Sequence, residues 1–151
     1  MKPAQYIFDS PSATQTFAEK LAGSVPAGTV IALLGDLGTG KTTFTQGFAR
    51  GLGIREQVGS PTFKLVSEYA GARLSLLHVD CYRLANSREF LNIGGENLLD
   101  PEDAVTLIEW ADRIADILPQ DAVTIRFDRR PELPERREII IDGLWHAAAG
   151  A

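Results

Sequence analysis

The run Gly35-Asp36-Leu37-Gly38-Thr39-Gly40-Lys41-Thr42 constrains the fold more than any other part of the chain. It satisfies G-x-x-x-x-G-K-[ST], the P-loop that cradles nucleoside triphosphates. Glycine at these positions lets successive backbone N–H groups converge on phosphate oxygens with no Cβ in the way. Lys41 is expected to reach the β- and γ-phosphates, and the Thr42 hydroxyl to ligate Mg2+. The flanks agree with the pattern. Residues 29–34 form a short apolar run with β-branched members, as a buried strand requires. Residues 43–52 read as a helix that Gly53 would end at C′. Strand, glycine loop and helix N-terminus aim backbone amides and the positive end of a helix dipole at an anion. The sequence therefore predicts a nucleoside triphosphate site on Leu37, Gly38, Thr39, Gly40, Lys41 and Thr42.

Around this loop, strand and helix signals alternate. Residues 5–8 suit a first short strand, and Ser12-x-x-Gln15 has capping-box spacing for a helix with Ala13, Phe17, Ala18 and Leu21 on one face. Beyond the P-loop helix, residues 58–63 read as a loop, because Pro61 holds Ser60 extended. Residues 64–69 and 73–79 are strand-like with only Ala70-Gly71-Ala72 between them, which predicts an antiparallel hairpin and so a mixed sheet. Asn86-x-x-Glu89 resembles a capping box opening a short helix, which Gly94-Gly95 interrupts. Residues 104–108 form another apolar strand, residues 112–118 a helix stopped by Pro119, and residues 122–127 and 137–141 two closing strands. The fold class is α/β: a single P-loop NTPase domain over residues 1–142, its mixed parallel and antiparallel sheet flanked by helices. Residues 143–151, rich in alanine and glycine, are expected to fray.

Composition narrows the function by exclusion. At 151 residues the chain has room for one domain and a real core. A net charge of −5 argues against autonomous, tight binding to nucleic acid, which depends on neutralising phosphates. The single cysteine, Cys81, excludes an internal disulfide and fits a reducing compartment. No basic-then-apolar leader opens the chain and no apolar run nears the roughly 20 residues of a membrane span, so the expectation is a cytoplasmic protein without a membrane partner.

A P-loop alone only binds. Catalysis needs a carboxylate for Mg2+ at the end of a neighbouring strand and a group to orient the attacking water. Two apolar runs end in acids: residues 74–80 in Asp80 and residues 104–109 in Glu109. Ligands in open α/β sheets sit beyond the carboxyl ends of strands, so both acids are well placed, one for metal and one for water. The competing reading is that each merely caps the turn after it. Thr62 lies where other P-loop proteins sense the γ-phosphate, although Ser-Pro-Thr is also ordinary turn chemistry. Trp110 is either a core plug or a partner contact. His78, between Leu77 and Val79, reads as a satisfied strand histidine, and Cys81 as structural. Arg126, Arg129, Arg130, Arg136 and Arg137 interleave with acids as a solvated hairpin edge would, or supply an arginine to a base or partner. No [N/T]-K-x-D guanine-reading run is present, which favours adenine. No long Arg-rich insertion offers a kinase lid.

In order along the chain come the P-loop with Thr43, then Ser60-Pro61-Thr62-Phe63 with Leu65-Val66-x-Glu68-Tyr69, then His78-x-Asp80-x-Tyr82-Arg83-Leu84, then Leu107-Ile108-Glu109-Trp110. This ordered set resembles the TsaE family, small bacterial ATPases of tRNA threonylcarbamoyladenosine biosynthesis, over nearly the whole chain. The resemblance implies ATP and Mg2+ as ligands, slow intrinsic hydrolysis, and docking on the tRNA threonylcarbamoyl transferase complex, which hydrolysis resets. The tRNA is then met indirectly, through that complex. It implies that Lys41 and Thr42 hold phosphates and Mg2+, that Glu109 contributes to the metal, that Asp80 supports hydrolysis, and that Thr62 belongs to a switch-like loop. Ala111 and Cys81 depart from the residues usual in the family. The alternatives on the residues alone are a small-molecule P-loop kinase and a non-catalytic nucleotide-gated binding module.

Overall fold

The computed structural model describes residues 3–35, 40–59 and 65–143. Seven strands form one sheet in the order β1-β7-β6-β2-β5-β4-β3. They are β1 (Ala4–Phe8), β2 (Val30–Leu34), β3 (Val66–Tyr69), β4 (Ser75–Asp80), β5 (Ala104–Glu109), β6 (Val123–Asp128) and β7 (Arg137–Asp142). The middle four, β6-β2-β5-β4, run parallel, while β3, β7 and β1 add antiparallel edges. The expected mixed sheet and the β3–β4 hairpin are both present. Among the described residues three α-helices accompany it: α1 (Pro11–Ala22), α2 (Lys41–Gly51) and the short α3 (Ser87–Asn92).

Side-chain alternation sorts the core into two layers. Ile31 and Leu33 of β2 join Val105 and Leu107 of β5 and Phe44 and Phe48 of α2 on one face. Val30 and Ala32 face the other way, towards Ile108, Phe90 of α3 and Ile114. Strands β2 and β5 are thus covered on both sides, as central parallel strands need to be. β6 is not. Its Val123, Ile125 and Phe127 are buried, and its Arg126 is exposed.

Three local expectations shift, each for a physical reason. Helix α1 is capped by Ser10, not Ser12: Ser10 is extended and its Oγ accepts from the Ala13 N–H at 3.1 Å. Pro11 follows at the first helical position, where its missing N–H is harmless. The 112–118 helix is instead a 3-10 segment, Ala111–Ile117, broken at Ile114. Leu118 is extended because Pro119 disfavours a helical residue before it. Arg73 lies outside β4 and donates to the Ala22 and Val25 carbonyls, holding the carboxyl end of α1. No described helix is long and apolar enough to cross a membrane. The expected tail, beyond Gly143, lies outside the described residues.

Candidate nucleotide and metal site

The site grows from the carboxyl ends of the parallel strands. Register places Ile125, Leu33, Glu109 and Asp80 in one row across β6, β2, β5 and β4. Leu33 belongs to the layer that packs on α2, so Glu109 and Asp80, as its row neighbours, face the α2 side too. Helix α2 starts at Lys41 behind Gly40, whose φ of 104 a side chain would strain. Gly40 has no side chain to cap α2, so no cap from it competes with an anion at this helix N-terminus.

Lys41 is 6% exposed, unusual for an ammonium and intelligible only if it is held. Its Nζ donates to the Gly35 carbonyl at 2.6 Å and lies 4.7 Å from the Trp110 ring centroid. Trp110 follows Glu109 directly and has φ 57, a left-handed backbone that costs a non-glycine residue about 1–2 kcal/mol. That turn swings the indole out beside Lys41 and the exposed Tyr82, whose ring centroid lies 5.0 Å away. Trp110 is only partly buried against the second core layer, so it is both a packing residue and a wall of the site.

Glu109 is 6% exposed and its Oε2 lies 2.6 Å from Nε2 of His78, itself 1% exposed. Nδ1 of His78 is buried and has no hydrogen-bond partner among the described residues. The expected satisfied strand histidine is therefore satisfied at one nitrogen only. Asp80 is more open; its Oδ1 accepts from the Tyr82 N–H at 2.9 Å. Cys81 is fully buried, and burial with the charges of Asp80 and Asp112 pushes its thiol up to about 12. It cannot act as a thiolate near neutrality, consistent with a structural role.

The oxygens suit Mg2+. Asp80, Glu109 and the Thr42 hydroxyl are hard donors, and Mg2+ takes one or two carboxylates while keeping water and phosphate as its other ligands. Among the described residues no three His, Cys, Asp or Glu side chains gather into an all-protein cage. On the β6 side, Gly35, Trp110, Arg126, Asp128 and Arg129 line a cleft of about 540 Å3. The arginine cluster seen in the sequence is thus split. Arg126 and Arg129 face this cleft, Arg130 pairs with Glu138 at 3.0 Å, and Arg136 pairs with Asp9 at 3.3 Å.

Comparison with known proteins decides the family. A profile described as "Threonylcarbamoyl adenosine biosynthesis protein TsaE" matches residues 8–139. The chain belongs to the TsaE family. It is 40% identical over 139 residues to the tRNA threonylcarbamoyladenosine biosynthesis protein TsaE of Bacillus subtilis (strain 168), covering 92% of this chain and 85% of that one. The protein of the same description from Treponema pallidum is 47% identical over 98 residues, 65% of this chain and 71% of its own. Among solved structures, Bacillus subtilis YdiB superposes with a TM-score of 0.79 at 32% identity, covering 99% of this chain and 95% of that one.

Of the residues singled out from the sequence, Gly40, Lys41, Thr42, Asp80 and Glu109 gather at this one end of the sheet. Leu37, Gly38, Thr39 and Thr62 lie outside the described residues. Two features of this TsaE chain go beyond the sequence expectations: the bond of His78, expected only as a satisfied strand histidine, to Glu109, and the contact of Lys41 with Trp110. His78 was detectable, since it precedes Asp80 by two residues and so shares its strand face. The Lys41–Trp110 contact had no local signal, because it depends on β2 and β5 being neighbours.

Proposed function

We propose that this chain is the Mg2+-dependent ATPase of the tRNA threonylcarbamoyladenosine modification machinery, weak alone and coupled to the threonylcarbamoyl transferase complex. It docks on that complex with ATP bound, and hydrolysis resets the complex between turnovers. One observation carries this reading. A buried lysine that opens α2 is held on the Gly35 carbonyl just beyond β2, and two carboxylates end the strands β5 and β4 in the same row.

Leu37, Gly38, Thr39 and Gly40 wrap the phosphates with backbone N–H groups, and the first turn of α2 adds its own. Lys41 exchanges the Gly35 carbonyl for phosphate oxygens, a trade of a neutral acceptor for a charged one. Thr42 and Glu109 would hold the cation, which would supply charge neutralisation at the phosphates. Asp80, fixed through Oδ1 by the Tyr82 N–H, presents its other oxygen to orient the attacking water and accept its proton. Thr62 senses the γ-phosphate. The cleft beside Gly35 admits the nucleoside end, where Arg126 can stack on the base.

The test is phosphate release from Mg-ATP by the purified chain, with and without the transferase complex. Marked stimulation by the complex, abolished in Lys41→Ala, is the expected result. ATP-dependent docking without stimulated hydrolysis would refute the catalytic reading and leave a nucleotide-gated module.

A further inference from the structure

Glu109 is a carboxylate almost closed off from solvent, and a charge at that depth needs a partner. Its partner is His78. Along β4, His78 lies across from Leu107, two residues before Glu109 on β5, so the imidazole reaches diagonally along one sheet face to meet the acid. The separation of 2.6 Å is at the short end for nitrogen and oxygen, as in a charge-assisted bond. An ionised carboxylate only accepts, so Nε2 carries the hydrogen. The other nitrogen, Nδ1, is buried without a partner among the described residues. Buried polar atoms are nearly always satisfied, so a ring present for packing alone would not leave one orphaned. The fold tolerates that cost while keeping Nε2–H on Glu109.

We propose that His78 is a positioning residue for the cation site. It ties up Oε2 of Glu109, fixes the rotamer of that side chain, and leaves Oε1 as the oxygen that meets Mg2+. The inference rests on the reading of Glu109 as a Mg2+ ligand. Hydrogen bonds behind a ligating side chain govern metal affinity about as strongly as some ligands do, with losses of about 10- to 100-fold on removal.

The experiment measures ADP affinity by calorimetry, in EDTA and across a Mg2+ titration, for the parent chain, His78→Leu, His78→Gln and Glu109→Gln. The glutamine amide nitrogen stands where Nε2 does and can donate the same bond. In His78→Leu the Mg2+ needed for half of the metal-dependent gain in affinity should rise about 10- to 100-fold. Affinity in EDTA should hold, and His78→Gln should recover most of the loss. A histidine that only packs would lower the melting temperature and the EDTA affinity together, and glutamine would not rescue the metal response. An unchanged Mg2+ response in His78→Leu, or no rescue by glutamine, overturns the proposal. Should leucine prevent folding, the comparison of His78→Gln with Glu109→Gln decides: a Mg2+ response as poor in the first as in the second overturns it too. Retention of the full Mg2+ response in Glu109→Gln would instead overturn the ligand reading on which the proposal rests.

Discussion

Gly47→Ala sets two forces against each other at the helix that carries the P-loop lysine. Gly47 lies inside α2, where alanine is the better helix former by about 1 kcal/mol. The added Cβ, however, would stand 2.4 Å from the Gln15 carbonyl oxygen and 2.7 Å from its Cα. Those are backbone atoms of α1 and cannot rotate aside. Restoring ordinary contact at 3.4 Å requires α1 to move away by about 1 Å, loosening Ala18, Leu21 and Ala22 from the core they share with Phe44 and Phe48. Overpacking of this kind costs about 1–3 kcal/mol, and a rigid backbone obstacle belongs at the upper end. Net destabilisation of about 2 kcal/mol remains, which in a domain of this size lowers the melting temperature by about 4–8 °C. Thermal unfolding followed by circular dichroism reads this directly. An unchanged or raised melting temperature would refute the packing argument, because helix propensity alone predicts stabilisation.

Asp80→Ala should keep ATP affinity and slow complex-stimulated hydrolysis about 100-fold or more, the usual contribution of a positioned acid or base; parent-like turnover would remove Asp80 from the water-orienting role. In a Trp145→Phe background Trp110 is the one tryptophan left, and ATP binding should change its emission as Lys41 leaves the ring. No change on saturation would mean that Lys41 stays where it is. The Cys81 thiol, raised from 9.0 to about 12, favours the folded state while protonated. Above pH 9 the unfolded thiol ionises and the folded one does not, so this contribution to stability falls between pH 9 and about 12. Cys81→Ala should flatten that part of the stability profile measured by urea unfolding, and an identical slope in both proteins would exclude Cys81 as its source.

Much of the fold is legible residue by residue. The unbroken apolar run Val30-Ile31-Ala32-Leu33 announces a buried strand, and Ala70-Gly71-Ala72 between two strand-like runs announces a hairpin. Boundaries are less so. Ser10 and Ser12 are both good caps by composition, and Pro11 decides for Ser10 only once the helix is seen to start there. The candidate site divides the same way. Lys41, Asp80 and Glu109 stand out locally, because a glycine loop and an acid closing an apolar run are recognisable in isolation. The meaning of His78 is invisible until its partner is known.

What the sequence determined alone is whatever depends on neighbours within a few positions: the phosphate loop, the strands and their buried faces, and acids waiting at strand termini. Periodicity and turn chemistry act over that range, so they can be read from a string. The tertiary structure alone decided the order β6-β2-β5-β4 that sets Leu33, Glu109 and Asp80 in one row. It also decided the diagonal reach from His78 to Glu109, the seating of Lys41 under Trp110, and the backbone of α1 that makes Gly47 necessary. Each is a contact between segments far apart in the chain. Its energy arises from pairing, burial and steric exclusion after those segments meet, and local sequence preference carries no record of it.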